Sequence, residues 1–210
     1  AGLVVHPAFG NWDGTLANAV LHHLTVTKSS SLTAQSPERP GIIHRLDKDT
    51  SGIMVIAKND CTKAYLQKQF QERTVQKTYI ALVHGKLEPN SGLIDAPIGR
   101  DRKDRKKMTV TPTGKPAQTA YDVLEQYDGL QSYTLLKARL LTGRTHQIRV
   151  HCASIGFPIV GDMTYGRDTD TLKRQFLHAF SLTFKLPSGE TRTFQAPLSA
   201  DLTGYLNSLK

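Results

Sequence analysis

The sequence is poor in cysteine: Cys61 and Cys152 stand alone among 210 residues. They lie far apart, in no CxxC or metal-type spacing, which argues against a disulfide framework and predicts reduced thiols. No stretch approaches the roughly eighteen uninterrupted apolar residues of a membrane-spanning helix. The opening residues, AGLVVHPAFGNWDGT, lack the charged start and long apolar run of a signal peptide. These absences predict a soluble, cytoplasmic protein with no membrane partner. Metal-ligand patterns are missing too. Eight histidines are present, but there is no HExxH and no Cys/His quartet. His146 and His151 would stand about 140° apart on a helix, a poor arrangement for one ion, so no metal is expected. There is no internal repeat. Acidic residues are the scarcer charge: 18 Asp and Glu face 27 Lys and Arg, leaving +9 and a pI near 9.6. A polyanion is the natural partner for such a chain, although many proteins are mildly basic without binding one, so the motifs have to decide.

What is present can build one core, since 39% of the residues are hydrophobic. Leu3 to Pro7 reads as the end of a strand whose beginning lies upstream, which suggests a fragment of a longer polypeptide. A helix is predicted from Thr15 to Leu24, with Leu16, Val20 and Leu24 at i, i+4 and i+8. Lys28 to Pro40 is Ser-rich and aperiodic, a mobile surface loop. Ile53 to Ala57 reads as a buried strand, Asp60 to Gln71 as a helix, and Lys77 to His84 as a strand with Tyr79, Ala81 and Val83 on one face. Further strands are predicted at Met108–Thr111, Thr119–Gln126, Tyr133–Leu140, Leu177–Leu186 and Thr191–Ala196. Thr145 is the candidate cap of a helix carrying Ile148, Cys152 and Ile155, and Ser199 of a last helix carrying Leu202, Leu206 and Leu209. Short strands in series favour antiparallel pairing. The expected class is α+β: a mixed, mainly antiparallel sheet flanked by helices and loops.

Charge is concentrated before Ile53. Asp47 stands between Arg45 and Lys48, with His44 and Leu46 in the same run, and a carboxylate in a basic cleft can act as nucleophile or base. An Arg-Leu-Asp-Lys string is more often a surface salt-bridge loop, so context must choose. The context is long. His44 to Gly52 (HRLDKDTSG) resembles the signature of the RluA/RluD-type pseudouridine synthases over its whole length. The resemblance continues in family order through Lys77-Thr78-Tyr79, Thr142 to His151 (TGRTHQIRVH), Pro158 to Asp162 and Leu177-His178-Ala179. Gly2 to Pro7 and the basic stretch before Met108 look most like the branch that modifies large-subunit ribosomal RNA.

That resemblance implies the pseudouridine synthase fold with a central RNA-binding cleft, spanning residues 1–210 as one catalytic domain. It implies an isomerase that converts uridine to pseudouridine in structured RNA, with 23S ribosomal RNA as the expected substrate, without cofactor and with no protein partner predicted. Asp47 would begin the reaction by attacking the anomeric carbon, attacking the uracil ring or removing a ribose proton, and the residues leave these three routes open. Tyr79 would be the stacking face for the detached base, its hydroxyl a possible aid to C5 deprotonation. Arg149 would be the basic partner of Asp47, pairing bidentately with its carboxylate. Arg45 would occupy the space of the everted uridine, with His44 and Leu46 beside it as substrate-binding neighbours. Arg100 to Lys107 holds six basic and two acidic residues, and Arg102, Lys103, Arg105, Lys106 and Lys107 can track phosphates if the loop is exposed. Two rival readings remain: a non-catalytic RNA-binding or ribosome-assembly module, and a carboxylate-based hydrolase of nucleosides or RNA.

Overall fold

A computed structural model describes residues 1–8, 10–27, 40–167 and 171–210. The loop expected at Lys28 to Pro40 lies, but for its last residue, outside them. Among the described residues no helix is long and apolar enough to cross a membrane.

The first helix, α1 (Leu16–Val26), begins where a capping box places it. Thr15 Oγ1 accepts from the Asn18 amide and Asn18 Oδ1 accepts from the Thr15 amide at 2.9 Å. The segment before it is not a strand. The carbonyls of Val4 and Val5 instead accept from Leu16 N and Ala17 N, satisfying two of the amides that every helix leaves free at its first turn. Its apolar residues thus serve a helix end, and Val5 is buried with Ala17 and Ile42.

Among the described residues seven strands form one sheet in the order β1-β8-β2-β7-β6-β3, with β9 pairing β8 along Ser181–Lys185, beyond the two residues of the same edge that β1 occupies. These are β1 (Ser51–Gly52), β2 (Gln76–His84), β3 (Ser91–Asp95), β6 (Gln118–Tyr127), β7 (Tyr133–Leu140), β8 (Leu177–Lys185) and β9 (Thr191–Gln195). Among the described residues only β1 pairs in parallel, with His178 and Ala179 of β8, so the sheet is mixed and mainly antiparallel, as expected. Two short strands, β4 (Ile98–Arg100) and β5 (Met108–Val110), form a separate hairpin. The other helices are α2 (Asp60–Gln71), α3 (Gln147–Ser154) and α4 (Ala200–Asn207). Central β2 is buried without alternation from Tyr79 onward, because its neighbours and the layers above and below close over both faces. The main core joins Leu82, Val83 and Leu136 of the sheet to Ile148 and Cys152 of α3 and Leu202 of α4. Leu66 of α2 packs in a second cluster with Val75, Leu182 and Phe184.

The buried strand expected at Ile53–Ala57 is a correction. After Gly52 only Ile53 N continues towards Ala179 O, and a lone bridge joins Ile56 to Ile42. Residues Ile53 to Ile56 are half-buried. The Val55 amide, which a ladder would need, donates to His44 Nε2 at 3.0 Å. Gly52 makes the tight junction possible: it has φ +118°, and a Cβ there would meet Ala179 O at 2.2 Å. Gly52→Ala should therefore cost at least the roughly 1–3 kcal/mol of a strained backbone position, measured as a lower urea midpoint at unchanged slope. No change in midpoint would show that the junction relaxes freely.

Candidate active site

Two neighbours of one residue bring the chemistry together. Ala179 of β8 is paired with Gly52 on one side and with Tyr79 of β2 on the other. The β2–β8 register shifts between Thr78 and Tyr79, and such a bulge re-aims the side chain beside it. The Asp47 turn, which leads into β1, is thereby set next to Tyr79. That turn closes on itself through Thr50 N, which donates to Asp47 O at 2.9 Å. It is tied down from outside as well. Gln175 Nε2 donates to Thr50 Oγ1, Ser51 Oγ bonds His178 Nδ1 at 2.9 Å, and Arg174 Nη1 donates to Asp49 O while its Nε and Nη2 hold Asp201.

Opposite lies the start of α3. Thr145 does not cap it. The N-cap is His146, held in the left-handed region at φ 55° with no side-chain capping bond. The buried side chain of Gln147 organises the approach instead. Its Oε1 accepts from Thr142 Oγ1 and Arg144 N, and its Nε2 donates to Gln118 O and Thr119 Oγ1. His151, one turn further on, is enclosed between Thr119 Oγ1 and Ala96 O. His146 and His151 thus serve different partners. Ser199, the cap expected for α4, makes no capping bond either, and its hydroxyl receives Arg174 Nη2 at 2.9 Å.

Arg149 is 6% exposed. The expected bidentate pairing with Asp47 is corrected. Arg149 Nε and Nη2 clasp Asp162 at 2.6 and 2.8 Å, while a single Nη1 reaches Asp47 Oδ2 at 3.1 Å. Asp162 wins the fork because it is better prepared. Its Oδ1 also accepts from the amides of Thr164 and Tyr165, so the buried carboxylate is satisfied on every side. Burial alone would lower the Arg149 pKa and raise that of Asp162. The hydrogen bonds and opposite charges override it, so Arg149 is raised and Asp162 lowered, and both are ionised. Beyond the guanidinium, the Tyr165 ring lies 5.1 Å from Arg149 Cζ in a cation–π contact.

Between these elements is a cleft of about 450 Å³, lined among others by Arg45, Leu46, Asp47, Tyr79 and His146, within the size range of small-ligand sites. Asp47 Oδ1 accepts no hydrogen bond among the described residues, and His146 Nε2 stands 3.9 Å from it. Burial, and then the charge of Asp47, push the Tyr79 phenol up, so it remains protonated. Arg45 is exposed at the cleft and Leu46 leans on the main core. His44 lines the cleft with its ring stacked on Phe70 at 4.9 Å. Burial, with the Lys77 charge, takes its pKa to about 4, so it is neutral and accepts from Val55 N. Lys77 and Arg73 add positive charge to the wall. Burial and then Arg73 lower the Lys77 pKa.

The basic run is a separate feature, between β4 and β5. Its acids turn inward: Asp101 Oδ1 accepts from Lys103 N and Asp104 N, and Asp104 Oδ1 from Lys106 N. Arg100 Nη1 bonds Arg105 O. Arg102, Lys103, Arg105 and Lys106 are left exposed, and Lys107 half-exposed.

The structure therefore gathers Asp47, Tyr79 and Arg149 from a loop, a strand and a helix. The sequence assigned no role to Asp162, His146, Tyr165 or Lys77. Asp162 and His146 lie inside the matching runs, but no periodicity shows that they face Asp47.

A family model described as RNA pseudouridylate synthase matches residues 1–154. An uncharacterized RNA pseudouridine synthase of Bacillus subtilis strain 168 is 47% identical over 211 residues, covering 100% of this chain and 67% of that protein. A protein of Nitrosomonas europaea named ribosomal large subunit pseudouridine synthase D is 48% identical over 220 residues, covering 100% of this chain and 61% of its own length. The chain thus spans between 54% and 69% of the length of the curated relatives it matches. Among solved structures, human RNA pseudouridylate synthase domain containing 4 superposes with a TM-score of 0.75 at 26% identity, over 99% of this chain and 86% of that one.

Proposed function

This chain belongs to the RNA pseudouridylate synthase family, whose members are isomerases acting on RNA, and from that premise we propose that it converts uridine to pseudouridine in large-subunit ribosomal RNA with Asp47 as the catalytic carboxylate. One observation carries the assignment of Asp47. Its Oδ2 is fixed by Arg149, while Oδ1 accepts no hydrogen bond among the described residues, and Asp47 lines the cleft together with Tyr79. A carboxylate oriented through one oxygen and free at the other is suited to attack or to take a proton. The ribosomal target is supported by the name of the Nitrosomonas relative and by the basic hairpin.

The reaction balances without a co-reactant. The C1′–N1 bond breaks, the uracil turns within the pocket, the C1′–C5 bond forms, and C5 gives up a proton while N1 takes one up. The cleft has to hold the detached base throughout. Tyr79 offers a rigid aromatic wall, and its raised pKa favours stacking and hydrogen-bond donation over proton abstraction by a phenolate. Arg149, clamped by Asp162, keeps Asp47 oriented through the sequence of steps. Arg45 stands where an everted nucleotide enters.

The loop cations give the RNA a grip outside the cleft. Neutralising Arg102, Lys103, Arg105, Lys106 and Lys107 together should weaken RNA binding and flatten its salt dependence, by about 0.7–0.9 in log–log slope for each phosphate contact removed. Thermal stability should hold, since four of these side chains are exposed and Lys107 is half-exposed. An unchanged slope in filter-binding titrations would return the loop to a merely solvated turn. The target is tested by mapping pseudouridines in ribosomal RNA from cells with and without the gene. Loss of one or a few large-subunit sites is expected, and an identical map would remove the ribosomal assignment.

A further inference from the structure

The basic hairpin and the carboxylate are joined by Tyr165. Its hydroxyl accepts from the backbone amide of Met108 at 2.8 Å and lies 2.9 Å from His146 Nδ1. Met108 opens β5 and directly follows the cationic loop. The Tyr165 ring meets His146 edge-on, with centroids 5.7 Å apart, and carries the guanidinium of Arg149 on its face. His146 and Arg149 are in turn the two groups that flank Asp47, one at each carboxylate oxygen. We infer that Tyr165 and His146 are positioning residues that couple the basic hairpin to Asp47, so that RNA held by the hairpin is registered at the carboxylate as turnover and not only as affinity. This deepens the Asp47 reading and rests on it.

Hydrogen-bond accounting fixes the proton on His146. A tyrosine hydroxyl has one hydrogen and two acceptor sites. With Met108 N–H occupying one acceptor site, the arrangement that pairs the hydroxyl's own hydrogen has it donate to Nδ1. The imidazole then carries its hydrogen on Nε2, the nitrogen facing Asp47 Oδ1. Burial chiefly, helped by Arg149 and Arg45 and opposed by Asp47 and Asp162, lowers the His146 pKa, which keeps the ring neutral and makes the tautomer matter. The backbone agrees: His146 sits at φ 55° without capping its own helix, a strained position for a non-glycine residue whose side chain is turned to the cleft. Moving β5 moves the Met108 amide, and with it the hydroxyl that holds His146 and the ring under Arg149.

The test uses large-subunit ribosomal RNA transcribed in vitro, which carries no pseudouridine. Tyr165→Phe keeps the ring under Arg149 and removes only the hydroxyl. It should bind this RNA within about twofold of the unaltered protein while single-turnover isomerisation falls about tenfold. His146→Gln, whose amide N–H can stand in for Nε2–H, should retain most of the rate, and His146→Ala should not. Adding Tyr165→Phe to His146→Gln should cost less than about twofold more, because the hydroxyl acts through the imidazole. Independently of turnover, the 15N spectrum of histidine-labelled unaltered protein, assigned by the signal missing in His146→Gln, should show His146 as the Nε2–H tautomer. An Nδ1–H tautomer, a full rate in Tyr165→Phe, or a loss confined to RNA affinity would overturn the coupling. Were the unaltered protein to isomerise no uridine, the Asp47 reading would fail while the tautomer measurement still judged the geometry.

Discussion

Asp47→Asn should abolish pseudouridine formation while leaving RNA affinity within about tenfold, or about 1.4 kcal/mol. Asparagine keeps the shape and hydrogen-bonding capacity of the side chain but cannot serve as nucleophile or base. Removing a charge next to a buried cation usually leaves that cation stranded, but Asp162 prevents that here. Arg149 keeps its two bonds to Asp162 and loses only the ionic character of its third, so the fold should be little disturbed. The cleft becomes more positive by one charge and should still attract RNA. The comparison needs a pseudouridine-specific chemical modification of the RNA beside a filter-binding titration of the same preparation. Sustained turnover by Asp47→Asn protein would remove the carboxylate from the mechanism.

Asp162→Asn is expected to have the larger effect on stability. The Asp162 side chain is fully buried and that of Arg149 is 7% exposed. Removing one partner of such a pair typically costs about 3–5 kcal/mol, because the other is left as an uncompensated buried charge. Asp47, at 18% exposure and through one bond, is a partial substitute. Turnover should fall with stability, since Arg149 would be drawn towards Asp47 and no longer orient it from a fixed position. Acidity separates this from simple loss of packing. Arg149 and the amides of Thr164 and Tyr165 hold the Asp162 pKa below its ordinary 3.8 against the opposing effect of burial. The stability it contributes is therefore complete above that value and lost as the pH falls through the lower folded one. Urea midpoints of the two proteins should differ most near neutrality and converge in strong acid. A constant difference across that range would mean that the charge of Asp162 is not what stabilises the fold.

The contrast between Asp47 and Asp162 shows what the sequence could and could not reveal. Both carboxylates sit in runs that match the family. Asp47 is flanked in sequence by Arg45 and Lys48, a charge pattern that singles it out although its ion-pair partner Arg149 lies 102 residues later, whereas Asp162 has no such neighbours and the fork that holds it comes from a helix thirteen residues earlier. Local patterns behaved in the same way. The helix Asp60–Gln71 and the strand Tyr133–Leu140 have the limits that their flanking signals predict, because Asn59 caps the one and turn residues bound the other. The three-residue β4 and five-residue β3 are too short to show a period. Helix α3 misled through its burial: Gln147 to Cys152 are all enclosed, so no exposed face reveals the direction of Arg149. The start of that helix was misplaced because Gln147 bonds to residues of β6, a tertiary substitute for a local cap. Ile53 to Ala57 has the composition of a strand, but its amide at Val55 is diverted to His44.

The central claim is that this chain, with Asp47 intact, rearranges uridine within an RNA chain. Incubating the unaltered protein with large-subunit ribosomal RNA transcribed in vitro, then digesting to nucleosides and separating them by liquid chromatography before mass spectrometry, tests it most directly. Isomerisation conserves mass and composition. The expected result is a pseudouridine peak equal to the loss of uridine, amounting to one or a few residues per RNA, with no free uracil. Release of uracil would make the protein a hydrolase, and RNA binding with no new nucleoside would make it a binding module, and either outcome would contradict the account.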